Sequence, residues 1–239
     1  MNVRYGLKLG LFILAVAAMC APSASASIIG HLSVANCAGG GVTVSFSVID
    51  WSPAIAPGST VACLNSGIGT NLSSTISGPL VPPVTGTIND LPPAGNIIGF
   101  MTFGTLLFNL DAPNGFGPPV APECSVDPAV GNSCSIVFMG IQSPFILTTT
   151  ATGTSVTLLA HGTIADPAGG PVSNWNGAFT TQINGQTPMQ IRNTVTAPGG
   201  SIASSFSGEF DVVVPEPMTM ALIGGGLIAL AAIKRRKVA

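Results

Sequence analysis

Residues 41–50 read GVTVSFSVID. Val42, Val44, Phe46 and Val48 alternate with Thr43, Ser45 and Ser47. An extended chain sends successive side chains to opposite faces, so this period of two puts the apolar set on one side and the hydroxyls on the other. The stretch therefore predicts a half-buried β-strand. Residues 154–164 repeat the pattern, with Val156, Leu158 and Ala160 on one face and His161 on the polar face or at the strand end. Outward from these two, strands are expected at 28–35, 61–64, 71–76, 84–88, 134–139, 145–150, 175–183, 189–196 and 202–213. Residues 99–110, with Phe100, Phe103 and Phe108, form a buried strand or a pair.

The connections carry turn chemistry. Residues 78–96 hold Pro79, Pro82, Pro83, Pro92 and Pro93, so most of that segment is loop. Residues 111–130 form a long loop with Asn114-Gly115 and Pro118-Pro119. Asn184-Gly185 reads as a hairpin-type turn lengthened by residues 186–188. No amphipathic helix of useful length appears between residues 27 and 213. Short strands between Gly and Pro turns predict an all-β body, a β-sandwich or jelly-roll-like architecture.

Composition narrows the function classes. Hydrophobic residues make up 46% of the chain and charged ones 7%, which excludes a disordered polyelectrolyte. The charges are unevenly placed. Between residues 27 and 213 the one basic residue is Arg192, against Asp50, Asp90, Asp111, Glu123, Asp127, Asp166, Glu209 and Asp211. An acidic body of this kind is no partner for nucleic acid, which needs clustered Lys and Arg.

The two ends differ from the middle. Arg4 and Lys8 precede an apolar run over residues 9–19, and Ala24-Ser25-Ala26 is a small-x-small cleavage site. That layout predicts a signal peptide over residues 1–26, removed by signal peptidase. Cys20 raises a lipoprotein alternative, but Met19 is large where such a site wants a small residue. Four cysteines remain in the exported part: Cys37, Cys63, Cys124 and Cys134. An even number in an exported chain reads as disulfides. Proximity suggests Cys37–Cys63 and Cys124–Cys134, one of three pairings; the spacings match no zinc pattern.

Residues 214–239 read VPEPMTMALIGGGLIALAAIKRRKVA. Residues 218–233 carry no charge, and as a helix they reach about 24 Å, somewhat short of the ~30 Å hydrocarbon core. Pro215 and Pro217 cannot supply the amide hydrogens of a continuing helix. Lys234, Arg235, Arg236 and Lys237 form the basic cluster that stays cytoplasmic. A plain single-pass anchor fits this pattern. The order Val214-Pro215-Glu216-Pro217, short apolar helix, basic end resembles the PEP-CTERM sorting signal of bacteria that make exopolysaccharide. The resemblance implies recognition by an exosortase, a membrane-embedded cysteine transpeptidase or protease. It also implies a transient stay in the inner membrane with the body outside the cytoplasm, followed by release or transfer to the cell surface or extracellular matrix. The domain layout is then 1–26 signal peptide, 27–213 exported all-β domain and 214–239 sorting tail.

Catalytic chemistry is sparse. The body has no Lys, no Tyr and only His31 and His161, and it lacks a Gly-x-Ser-x-Gly elbow, a His-Glu-x-x-His helix and a phosphate loop. A non-enzymatic protein of the cell envelope or exopolysaccharide matrix is expected. Trp51 and Trp175 could stack on sugars, which makes a lectin-like carbohydrate-binding module the alternative; a core position is the other reading of each. No cofactor is expected. Structural calcium at Asp111 with Asn114, or at Asp127 or Asp166, competes with plain turn-forming roles for those residues.

Overall fold

The computed structural model describes residues 28–46, 48–52, 54–57, 59–91, 97–111, 116 and 122–213. Residues 1–27, where a signal peptide is expected, the whole of residues 214–239 and the helices expected there lie outside the described residues. The body is all-β, as the alternation predicts, with one short helix.

Its strands are β1 (Ile28–Asn36), β2 (Gly41–Val44), β3 (Ile49–Ser52), β4 (Val61–Ser66), β5 (Ser73–Ser74), β6 (Gly78–Pro79), β7 (Thr85–Asn89), β8 (Ile97–Phe103) and β9 (Leu106–Leu110). They continue with β10 (Ser133–Phe138), β11 (Ile141–Thr150), β12 (Gly153–Ala165), β13 (Ser173–Asn184), β14 (Ile202–Ser204) and β15 (Ser207–Val213). The main sheet runs β12-β13-β15-β1-β4-β7-β8-β9, and β9 pairs back onto β12. The sheet closes into an antiparallel barrel of eight strands instead of packing as the two sheets of the expected sandwich or jelly roll. β12 is long enough to serve two neighbours on one side. Its first half pairs with β11 and its last residues, Gly162 to Ala165, pair with β9.

Closure has a visible cause. Four cross-strand pairs place a glycine opposite an aromatic residue: Gly86 and Phe103, Gly162 and Trp175, Gly177 and Phe210, Gly208 and Phe179. A glycine without Cβ lets the sheet coil tightly and leaves room for the facing ring. At Gly162 a Cβ would fall 1.9 Å from the Asn109 carbonyl oxygen and 3.1 Å from Trp175 Cζ2. The Trp175 indole N–H spans the same seam, donating to the Asn109 and Thr163 carbonyls at 3.2 and 3.0 Å.

An eight-stranded barrel has an interior just wide enough for side chains to fill, and aromatic rings fill this one. Phe103, Phe108, Trp175, Phe210, Phe179 and Trp51 form a chain of contacts, with successive ring centroids 6.5, 5.9, 5.6, 4.9 and 4.9 Å apart. Most meet edge to face, the arrangement the ring quadrupole favours. Fully burying one such ring is worth about 1.5–3 kcal/mol.

The barrel end where β1 starts and β15 finishes is covered by the β5–β6 hairpin. Buried Asp166, in the β12–β13 turn, accepts from Ser74 Oγ at 2.5 Å and from the Ser77 amide at 3.3 Å. These hydrogen bonds, Ser74's above all, hold the Asp166 carboxyl below the ordinary carboxylate range. The opposite end is covered by a separate sheet in the order β14-β2-β3. Trp51 drops from β3 onto Phe179 and Phe206, and its amide donates to Asp90 Oδ1 at 2.8 Å.

Three expected strands come out differently. Residues 41–50 are a hairpin, because Ser45 turns the chain: its amide donates to the Val48 carbonyl and its Oγ accepts the Val48 amide at 3.2 Å. Residues 202–213 break at Ser205 and Phe206 into β14 and β15, which belong to different sheets. Residues 189–196 are helical, contrary to both the expected strand and the absence of a useful helix. The helix, α1 (Pro188–Thr196), starts with a capping box between Thr187 and Gln190 and has Pro188 in its first turn. That Thr-x-x-Gln pattern satisfies two otherwise orphaned amides reciprocally. Ile191 and Val195, one turn apart, are buried in a second, smaller core with Cys124, Cys134, Ile136 and Leu147.

Both suggested disulfides form. Cys37 and Cys63 have Cα atoms 5.7 Å apart, Cys124 and Cys134 5.0 Å. The first ties the end of β1 to β4. The second staples the long loop to β10.

If the seam at β9–β12 limits closure, Gly162→Ala lowers stability by about 1–3 kcal/mol. Gly69→Ala, whose Cβ would meet only Ser33 Cβ at 3.9 Å, changes it by less than about 0.5 kcal/mol. Urea unfolding of the two variants beside the wild type measures this, and equal midpoints would remove the steric account of the seam.

Candidate functional site

Strand pairing brings together residues far apart in the sequence. β1 and β15 run antiparallel with His31 opposite Asp211 and Ser33 opposite Glu209. Alternation turns all four side chains to the outside of the barrel. His31 Nδ1 lies 2.8 Å from Asp211 Oδ1, and Nε2 lies 2.6 Å from Glu209 Oε2. Ser33 Oγ donates to Glu209 Oε1 at 3.0 Å. The His31 amide donates to Asn71 Oδ1 at 2.7 Å, fixing the backbone beneath the ring. This is the one place among the described residues where a histidine meets two carboxylates.

The geometry states what the cluster can do. Both ring nitrogens face carboxylate oxygens, so the doubly protonated imidazolium satisfies both at once. The Asp211 hydrogen bond is the largest influence and holds the imidazole above its ordinary pKa of 6.5. Partial burial works against that rise, and Glu209 adds to it. The serine hydroxyl points at Glu209 and not at the ring. A nucleophile needs its base within hydrogen-bond reach, so Ser33 is not activated in this arrangement. The cluster is a proton-dependent clip between the first and last strands of the barrel. Solvent reaches it, with Glu209 and Asp211 side chains 61% and 73% exposed, so its contribution is that of a screened surface pair. Sequence spacing gave no sign of it, because His31 and Asp211 are 180 positions apart.

The other singled-out residues fall into place around the fold. His161 is exposed on β12, opposite Asn176. Trp51 and Trp175 are 3% and 1% exposed, both in the barrel core, and neither offers a ring face to a sugar. Asp166 is occupied by its own turn. Asp127 Oδ1 accepts the Met189 amide at 2.8 Å, at the start of α1. Arg192, the sole cation of the body, reaches Glu123 Oε1 at 3.3 Å. These two contacts tie α1 to the loop stapled by Cys124–Cys134. Asp111 follows β9, and its suggested partner Asn114 lies outside the described residues. So do Val214, Pro215, Glu216 and Pro217 and the basic residues Lys234, Arg235, Arg236 and Lys237.

A raised folded-state pKa on His31 means that its stabilisation is complete below pH 6.5, the unfolded value, and fades as pH climbs through the folded one. The melting-temperature gap between wild type and His31→Gln is therefore expected to be larger near about pH 6 than near about pH 9. A gap independent of pH would show that the ring contributes packing alone.

Comparison with known families gives one match: a PEP-CTERM protein-sorting motif at residues 213–237. No curated protein and no solved structure matches the chain.

Proposed function

We propose that this chain, which ends in a PEP-CTERM sorting motif, is a non-enzymatic protein of the cell envelope or exopolysaccharide matrix. The motif implies export and an exosortase as processing partner, so the barrel is the cargo. The single observation that carries the reading is continuity: the match begins at Val213, the last residue of β15. The sorted element follows directly from a strand hydrogen-bonded on both sides, to β13 and β1.

Three features support the finer part of the proposal. Both expected pairings of cysteines are disulfides, which suits an oxidising compartment. The acidic surface keeps the cargo soluble and away from polyanions. His31, the best-placed general base, has both nitrogens taken by carboxylates and no nucleophile beside it. In this reading signal peptidase removes residues 1–26, the tail holds the protein transiently in the inner membrane, and the body passes to the surface or matrix. The carbohydrate-binding alternative draws no support from Trp51 and Trp175, whose rings are in the core.

Deleting Pro215–Pro217 in the producing cell tests the proposal. The wild type is expected to yield a shortened form at the surface or in the medium, with its new C-terminus readable by mass spectrometry. The deletion is expected to leave full-length protein in the inner-membrane fraction. Identical processing and identical fractionation of the two would overturn it.

A further inference from the structure

Strand pairing brings the start of β1 and the finish of β15 to one end of the barrel. Gly30 lies opposite Val212, and Val213 opposite Asn174. The β5–β6 hairpin and the turns before β9 and β13 complete that end. Ser173 Oγ donates to the Ile28 carbonyl at 3.1 Å, and Thr105 Oγ1 donates to Ser77 Oγ at 3.2 Å. Three aliphatic side chains stand out from it: Ile29, Ile76 and Val172, which are 46%, 48% and 57% exposed. Ile29 pairs with Ser73 on the hairpin, Ile76 is in the hairpin turn, and Val172 directly precedes Ser173. Ile76 also reaches the β12–β13 turn, where a Cβ on Gly169 would meet its Cδ1 at 3.7 Å.

Single apolar side chains are ordinary on any surface. Two observations set these three apart. The first is charge. The segments that meet here, 28–29, 72–80, 103–106 and 165–173, hold one ionisable side chain, Asp166, which is buried and occupied by Ser74 and the Ser77 amide. The nearest other charges, His31 and Asp211, are about 7 Å up the barrel wall and hydrogen-bonded to each other. The second is connectivity. Residues 214–217 alone separate Val213 from the apolar run at 218–233. Fully extended, that link reaches at most about 18 Å.

We propose that this barrel end rests on a phospholipid surface while the tail is held in the inner membrane, with Ile29, Ile76 and Val172 at the boundary between headgroups and acyl chains. The inference deepens the proposed function and rests on its reading of the tail. Apolar side chains gain by leaving water for that boundary, and this end brings no free charge to desolvate. Three such side chains make a weak contact on their own. A link this short raises their effective concentration at the bilayer to the order of millimolar, at which a weak contact is occupied. The acidic groups of the barrel wall and of the far end then face water. In this position the sorting motif starts at the lipid surface, because Val213 is there.

The test uses the full chain in nanodiscs of phosphatidylcholine and phosphatidylglycerol, plain or brominated on the acyl chain near the glycerol. Bromine quenches tryptophan on contact. Trp51 and Trp175 are in the core and give a constant background. Ile76→Trp is expected to lose about half of its added emission in the brominated lipid. Gln182→Trp, exposed on β13 roughly 30 Å along the strand from Ser173, is expected to lose none. Adding Ile29→Glu and Val172→Glu to Ile76→Trp should cut its quenching about threefold and leave the urea midpoint unchanged, since both positions are exposed. Failure of the chain to co-elute with nanodiscs would overturn the reading of the tail and this inference together. Co-elution with Ile76→Trp unquenched overturns this inference alone, and a blue-shifted but unquenched emission would assign the face to a second copy of the chain. Equal quenching of Ile76→Trp and Gln182→Trp would show a barrel with no preferred face, which also overturns it.

Discussion

Everything in this structure depends on β9 reaching β12. The two can pair only because Gly162 has no Cβ to strike the Asn109 carbonyl, which leaves space for the Trp175 indole to lie across the joint and bond to carbonyls on both strands. Steric permission and hydrogen bonding act at the same point. The same exchange of glycine for ring space recurs at Gly86, Gly177 and Gly208, each opposite a phenylalanine. The aromatic core and the curvature of the sheet are thus one feature. The rings occupy volume that the glycines vacate, and the glycines bend the strands that hold the rings. A closed sheet of this kind exposes few unpaired backbone groups.

The second level of organisation is built on what closure leaves over. Half of β12 is not needed for the barrel, and β11 and β10 extend from it. That extension would present one apolar face to water. The stapled loop, α1 and β14 cover it, held by Arg192 on Glu123 and by Asp127 on the start of the helix. The cover is assembled from short pieces.

Much of this was legible in residue order, and the rest was hidden for identifiable reasons. Period-two alternation located most strands because it reports a buried face directly, and cysteine proximity was a sound guide to both disulfides. The helix was misread because Ile191 and Val195 suit either period; the Thr187-Pro188-Met189-Gln190 start was the local signal that separates them. The hairpin in residues 41–50 was hidden because Ser45 fits an alternating strand as well as it fits a turn. Closure could be suspected only from Gly162 and Gly177, which sit inside otherwise regular strands where glycine is unfavourable. The clip of His31 with Glu209 and Asp211 had no local signature at all, since the chain meets itself there only after the whole barrel has formed.

The neighbour relation of β1 and β15 carries a consequence for biogenesis. β15 fills the last slot between β13 and β1, so the ring of strands stays open until nearly the entire body has crossed the bilayer. Translocation and completion of the fold therefore finish together, at the residue where the handling signal begins. A machine that waits for that signal meets only cargo whose final staves are already available to lock. Every described pairing of the closing strand with its two neighbours is complete by Val213.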